Sequence, residues 1–474
     1  MRLGKLWGSP LAIVLVGVAV ASLWTLGYGA STSSADASPT TPAAIDESGV
    51  LAAVRSRQRM GPKLLRPPPN DVLGLDIAIE DRDGTSMAVL HRALARAAAG
   101  EGQARLAFYG ASHVAGDIFT GYIRRELQAR FGDAGHGFLV PVHPWRTYRH
   151  RDINIESDGK QWETQRIRVG DSEVERVGLA GIAMMSKRPG SFGAVYTAQE
   201  GDYGRTAGFF ELYYLKHPRG GDMDVLIDGR KARRISTRAS KISTGYATFR
   251  LPDAPHRFEI RTLSKRPVWV FGLAVERDRP GVVVDTLGIN GSRVRYQLLW
   301  DDEVYREHLR RRKPDLVVLA YGTNESGDES PIEDYERDLR AVVERLRDTV
   351  PEASCLLIGP SDRPMQVEER VFEDRARTAR LIEVQHRVAL EHGCGFFDLV
   401  AFQGGALSML QWAASDPAYA SQDHVHYTRV GYRRLGEVLL SALLEGMPAS
   451  GDRELASASV EVDDAGAAEA SPAR

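Results

Sequence analysis

Cysteine is almost absent from this chain: Cys355 and Cys394 are the only two in 474 residues. Two thiols cannot build a disulfide scaffold or a cysteine-ligated metal site. Each lies at or just before a predicted strand. They read as buried free thiols, with a single bridge as the alternative in an oxidising compartment. An excess of positive charge is missing as well. Lys and Arg total 61 against 63 Asp and Glu, a net charge of -2. No basic stripe stands out, so nucleic acid is not an expected partner. Long apolar runs are missing with one exception. After Arg2 and Lys5 no charged residue occurs until Asp36, and residues 9–29 are almost wholly apolar. That is close to the ~20 residues needed to span a bilayer. Basic residues before it and none after predict that the rest of the chain is exported. Residues 1–30 therefore read as a signal peptide, with Tyr28-Gly29-Ala30-Ser31 as a small-residue exit, or as an uncleaved membrane anchor.

What is present suffices for two domains: 43% of residues are hydrophobic and 26% charged. Residues 31–70 read as a linker and 448–474 as a disordered tail without apolar period. Between them two textures occur. In the first, short apolar runs alternate with amphipathic stretches. Strands are expected at 106–109, 282–287, 316–321, 355–359 and 395–399. Helices are expected at 117–131, 294–312, 331–350, 367–392 and 430–444. This alternation implies a parallel sheet covered on both faces. The second texture runs from 142 to 281. Its short apolar runs at 209–215, 225–227, 247–251, 258–263 and 268–275 are separated by turn residues. Asp228-Gly229 is a hairpin signal. The expectation is an all-β sandwich with its own core, inserted after the first strand–helix unit of an α/β domain.

In an open parallel sheet, ligands bind beyond the carboxyl ends of the strands. Ser112, in Tyr109-Gly110-Ala111-Ser112-His113, follows the first strand. Asn290-Gly291 follows the second and Gly322-Thr323-Asn324-Glu325 the third. Asp423-His424-Val425-His426 lies in a loop beyond the fifth. These groups collect on one edge. A serine hydroxyl needs a base, which His426 can supply, and Asp423, three residues earlier, can orient that base. The backbone N–H groups of Ser112 and Gly291 and the side-chain amide of Asn324 can stabilise an oxyanion. Bland alternatives stand beside each role. Ser112 can be a cap, Gly291 a loop glycine and Asn324 an Asx turn. Gly288 rivals Gly291, and His424 rivals His426. His113 reads as a site neighbour or a packing residue. Asp423, His424 and His426 could form a metal cluster, which would leave Ser112 and Asn324 without a task. No cofactor is expected. Tyr203, Tyr213 and Tyr214 could stack on sugars, but their strand spacing favours core.

The four blocks resemble those of the GDSL-type, or SGNH, hydrolases over about 100–140 and 282–446. Two blocks depart from the usual pattern: Gly110-Ala111-Ser112 replaces Gly-Asp-Ser, and Gly322-Thr323-Asn324-Glu325 replaces Gly-x-Asn-Asp. A nearer resemblance is to bacterial peptidoglycan O-acetylesterases, with Gly288-Ile289-Asn290-Gly291, the Gly-Thr-Asn-Glu form, the Asp-x-Val-His ending and an inserted sandwich similar to carbohydrate-binding modules. This implies a flavodoxin-like three-layer hydrolase domain in two parts, 71–141 and 282–447. It also implies catalysis by Ser112, His426 and Asp423 without a metal, on an O-acetylated glycan in the periplasm. An O-acetyltransferase, another lipase or esterase of the superfamily, and a non-catalytic glycan-binding protein remain the alternatives.

Overall fold

Alternate residues of the apolar runs face opposite ways, which makes each run a strand buried on both sides. In the computed structural model, which describes residues 73–166 and 176–447, five such strands pair in parallel. They are β1 (Gln103–Gly110), β2 (Gly281–Gly288), β3 (Leu316–Ala320), β4 (Ser354–Ile358) and β5 (Gly395–Phe397), in the order β2-β1-β3-β4-β5. The expected leader or anchor (1–30), linker (31–70) and tail (448–474) lie outside the described residues. Six longer helices accompany the sheet: α1 (Ala88–Ala98), α2 (Phe119–Phe131), α3 (Asp302–Arg312), α4 (Ile332–Thr349), α5 (Ala376–Glu391) and α6 (Arg429–Leu444). Leu106 and Phe108 of β1 pack with Leu316, Val318, Leu356 and Ile358 against α1, α2 and α6. Their neighbours Ala107, Tyr109, Val317 and Leu319 face the other way, toward α3, α4 and α5. This is the expected flavodoxin-like three-layer domain.

Between α2 and β2 lie two antiparallel sheets. One runs in the order Ser243–Ala254, Ala207–Lys216, Val268–Glu276, Ile182–Ser186, Glu163–Arg166. The other runs Ile153–Ser157, Phe192–Thr197, Arg257–Thr262, Asp222–Ile227, Arg230–Ser236. Asp228 (φ 52°) and Gly229 (φ 77°) join the last two strands. Both residues have positive φ, as a type I′ hairpin turn demands.

Several expectations need correction. The strand Gly135–Leu139, assigned by sequence to the hydrolase side of a boundary at 142, already pairs with Val268–Glu276. The sandwich does not have a core of its own. Phe138, Phe210 and Phe271 belong to the same continuous interior as Tyr109, Leu287 and Leu309. The helix expected over 367–392 begins only at Ala376, because Met365–Glu368 and Val371–Glu373 form a hairpin turned at Arg370 (φ 58°). The stretch 294–312 is divided into a 3-10 segment, Val294–Leu299, and α3. The divider is Asp301, whose carboxylate caps α3 by accepting from the Val304 N–H at 3.0 Å. Cys355 and Cys394 are not free thiols but a disulfide. Leu356 pairs with Gly395, so the residues just before them stand opposite one another, with Cα atoms 4.6 Å apart.

A buried ionic network joins the two parts. The Arg312 guanidinium, at the end of α3, donates to both Asp285 oxygens of β2 at 2.7 and 2.8 Å. It also pairs with Glu276 of the sandwich at 2.6 Å. Glu276 accepts in addition from Arg105 of β1, at 2.9 and 2.6 Å. Burial pushes the Glu276 carboxyl up, but Arg312 and Arg105 outweigh it and hold the pKa at about 2. Arg312→Met should leave two buried carboxylates short of a cation and lower unfolding free energy by ~3–5 kcal/mol in a urea titration at pH 7. In the parent, Glu276's contribution is complete above its ordinary value of 4.5 and is lost as pH falls toward about 2. A variant within about 1 kcal/mol of the parent would show that the network only tolerates burial.

Candidate active site

The register of the sheet sets the stage. Gly110, the last residue of β1, pairs with Gly288 of β2 on one side and Ala320 of β3 on the other. The loops after these three strands therefore start level with one another, at the point where the strand order reverses. The turn after β1 is tight. A Cβ on Gly110 would lie 2.4 Å from the Val114 side chain, and one on Gly288 would lie 2.2 Å from the Ala115 nitrogen. Gly288 thus serves close packing against the short helix Ser112–Ala115 that Ser112 opens.

The second half of the site is the loop before α6. Ala420 bridges Tyr427, and the Ser421 N–H donates to the His426 carbonyl at 2.7 Å, so the loop closes on itself. Thr428 caps the helix by accepting from the Gly431 N–H. Within the loop, one Asp423 oxygen accepts from the backbone N–H groups of Val425 and His426, both at 3.0 Å. Its other oxygen lies 2.7 Å from His426 Nδ1, and His426 Nε2 lies 2.8 Å from Ser112 Oγ. The partly exposed serine hydroxyl, the imidazole and the carboxylate therefore form one hydrogen-bonded relay. Partial burial pushes the Asp423 carboxyl up. Hydrogen bonds from the His426 ring and from the backbone outweigh this and leave it below the usual carboxylate range. His424 takes no part in the relay. Its backbone is left-handed (φ 52°), and its ring meets the edge of Phe372 at 4.9 Å.

Gly291 and Asn324 lie on the loops that follow β2 and β3. Gly291 has φ 74° with open space where a Cβ would stand, so its conformation, not crowding, favours glycine. The Asn324 amide donates one hydrogen to the Ser292 carbonyl at 3.0 Å and keeps a second one. The two loops are tied together by Glu325. This buried carboxylate accepts from the N–H groups of Val294 at 2.7 Å and Gly322 at 3.0 Å. Sequence reasoning quoted Glu325 only as part of a motif and gave it no role.

A second buried chain backs the serine. His113 Nδ1 is 2.9 Å from the Tyr432 hydroxyl, and its Nε2 is 3.2 Å from Ser361 Oγ, which is 3.1 Å from Thr323 Oγ1. Burial, with the His426 charge nearby, lowers the His113 pKa to about 3. His113 is thus a neutral packing neighbour of the relay. From sequence Ser361 was not singled out and Tyr432 was given no role, because nothing in their spacing announces a contact 248 or 319 residues away.

Among the described residues, a cluster with metal-ligand geometry lies elsewhere, at Asp117, His136 and His150. Most of its ligand atoms are already engaged, with His136 Nδ1 left buried without a partner. Asp117 accepts from Arg124 at 2.8 and 3.1 Å, from Thr120, from Thr286 and from the Arg151 N–H. His136 and His150 hydrogen-bond each other at 3.1 Å. Burial lowers both imidazoles, His150 to about 4. A carboxylate filled by a buried guanidinium does not fit a cation, and the cluster reads as a polar clasp beneath α2.

Residues 261–434 match the GDSL-like Lipase/Acylhydrolase family. The chain carries a GDSL-like acylhydrolase domain and is a carboxylic ester hydrolase. Among solved structures it is similar to a peptidoglycan O-acetylesterase, with 25% identity, coverage of 77% of this chain and 98% of that one, and a TM-score of 0.64. A family two carbohydrate esterase from Cellvibrio japonicus is also similar, with 13% identity, coverage of 62% and 98%, and a TM-score of 0.26. No curated protein matches the chain in sequence.

Glu325 can be tested by stability. Glu325→Ala strands two buried N–H donors, each worth ~1–3 kcal/mol. Its melting temperature should fall further than that of Glu325→Gln, which keeps one acceptor oxygen. Equal melting of the two variants in a thermal scan would mean that the loops are held by something else.

Proposed function

We propose that this protein is an exported serine esterase that removes O-acetyl groups from cell-envelope polysaccharide, with peptidoglycan as the substrate. The observation that carries this reading is the continuous Asp423–His426–Ser112 relay at the end of β1. His426 Nε2 takes the hydroxyl proton as Ser112 Oγ attacks the acetyl carbonyl. The N–H groups of Ser112 and Gly291 and the free amide hydrogen of Asn324 receive the oxyanion. The imidazolium then gives its proton to the departing sugar oxygen. Water, deprotonated by the same imidazole, releases acetate from the acyl-serine. Asp423 holds the ring in the required tautomer and stabilises its cation.

The choice of peptidoglycan is supported by the similarity to a peptidoglycan O-acetylesterase along most of the chain. Export to the periplasm is supported by the apolar segment 9–29 behind two basic residues and by the Cys355–Cys394 disulfide, a bond at home in oxidising compartments. Among the described residues no helix is long and apolar enough to cross a membrane; the proposed anchor segment lies outside them. The sandwich would help to hold polymer, but not through Tyr213 or Tyr214, whose side chains are core.

Acetate release from O-acetylated peptidoglycan tests the reading. Ser112→Ala should lower it by ~10⁴–10⁶-fold, and Asp423→Asn by ~10³–10⁴-fold. A fluorophosphonate should label Ser112, and activity should persist in a chelator. Loss of activity on chelation, with Ser112→Ala still active, would overturn the serine mechanism. His426→Ala should harm catalysis far more than His424→Ala; the reverse order would reassign the base.

A further inference from the structure

Beside the relay lies a cavity of about 490 Å³ whose chemistry the ester hydrolysis does not use. Two of its lining residues are close in sequence to the relay. Gly116 closes the short helix that Ser112 opens, on the order of 6 Å away along that helix at 1.5 Å per residue. Arg429 follows His426 by three residues and starts α6. From there the cavity runs between α2 and the loop that leads into the sandwich, so both parts of the chain line it.

The lining is dominated by guanidinium. Arg125, Arg149, Arg151, Arg429 and Arg433 face it, against one carboxylate, Glu126, which is itself 3.6 Å from Arg130. Two of the five are committed. Arg125 pairs with Asp152 while lying over the Tyr203 ring, and Arg433 donates to Glu437 at 3.0 Å. The side chains of Arg149, Arg151 and Arg429 have no carboxylate partner among the described residues. Arg151 is the telling one. It is half-buried, its stem lies against Gly121, and a Cβ there would come within 2.8 Å of it. Burial and the neighbouring charge of Arg125 disfavour its cation, and the nearby carboxylates of Asp152 and Asp117 offset this only in part. A half-buried guanidinium with no direct ion pair keeps donors that a ligand anion could engage. Arg149 and Arg429 are exposed, and what sets the three apart is that their guanidinium groups converge on one concavity.

We infer that this cavity is a subsite for carboxylates of the glycan strand, and that Arg149, Arg151 and Arg429 hold an anionic unit while the adjacent acetyl ester reaches Ser112. The inference rests on the proposed esterase reading and deepens it. The enzyme would select polymer in which a carboxylate neighbours the O-acetylated sugar, as the stem peptide and lactyl group provide, over neutral acetylated glycans. The ligand is bound by charge-assisted hydrogen bonds that a neutral strand cannot make. Tyr122 and Tyr203, each beneath an arginine, furnish rigid floors and not sugar platforms.

Binding is measured apart from catalysis. The probe is a soluble peptidoglycan oligosaccharide freed of acetyl esters by mild base, in one form with its carboxylates intact and in another with them amidated. Calorimetric titration into the full-length protein should give about tenfold weaker binding for the amidated form. Arg149→Ala/Arg429→Ala should show a similar loss for the intact form, and Arg149→Lys/Arg429→Lys should recover part of it. Ser112→Ala should bind like the parent. Raising salt should weaken only the intact form. Removing the stem peptide while keeping the lactyl carboxylate tells which carboxylate is held. Equal binding of the intact and amidated forms by the parent overturns the subsite without any variant. Charge-dependent binding without acetate release from acetylated polymer would instead sink the esterase reading and leave the subsite standing.

Discussion

The structure depends on how Arg312 is neutralised. This guanidinium ends α3, yet its partners belong to other parts of the chain: Asp285 in the middle of β2 and Glu276 at the end of a sandwich strand. Asp285 also accepts from the Phe138 N–H at 2.8 Å, so the strand Gly135–Leu139 is drawn onto the same centre. Gly137, with φ 100°, is what allows the approach; a Cβ there would lie 2.7 Å from Asp285 Oδ1. Removing Arg312 would leave Asp285 buried without its cation and Glu276 with Arg105 alone, which is far more damaging than the pair is stabilising. The network therefore acts as a specification. It admits one placement of the sandwich against β1, β2 and α3, and with it one position for the loop that carries Gly291.

This constraint explains why the inserted region is not a detachable module. A single apolar interior runs from Phe210 and Phe271 through Phe138 to Tyr109 and Leu309. Two domains that share a core and a buried ionic centre do not move freely against one another. The cavity lined by Arg151 from one part and Arg429 from the other thus lies between backbone elements that share one core. The register that levels Gly110, Gly288 and Ala320 does the same for the loops on the hydrolase side. Ser112 is placed by a strand end and a tight turn, whereas His426 and Asp423 sit on a loop closed by its own hydrogen bonds. Such placement on rigid elements is what transition-state stabilisation requires.

Much of this was legible in sequence, for physical reasons. Strands buried on both faces read as apolar runs, and a period of 3.6 residues marks the helices, so the parallel sheet and its order of elements could be anticipated. The Asp423-to-His426 spacing is short-range chemistry, and the strand-end rule placed it with Ser112. Other features were hidden. Exposed strands such as Arg230–Ser236, with four arginines or lysines, carry no apolar signature. The Met365–Glu368 hairpin sits in a charged stretch that reads equally well as helix. The disulfide depends on the register of β4 against β5, which spacing alone does not set. Buried polar partners such as Glu325, His113 and Arg312 look like surface residues until the fold closes over them.

Net charge concealed the most distinctive electrostatic feature. A total of -2 argues correctly against a polyanion-coating surface, but it is a sum, and recognition responds to local imbalance. Many arginines here are cancelled by a nearby carboxylate, as Arg293 is by Asp328 at 2.5 Å and Arg105 by Glu276. Against that background the uncancelled group formed by Arg149, Arg151 and Arg429 is informative because it is local. Guanidinium groups that converge on one concavity can engage a single anion together, which the same number scattered over an open face cannot. On the proposed reading, the chain would join a neutral reaction, ester hydrolysis at Ser112, to a charged neighbourhood. That combination would give the site a means of choosing among acetylated polymers that the acetyl group, the same in all of them, cannot provide.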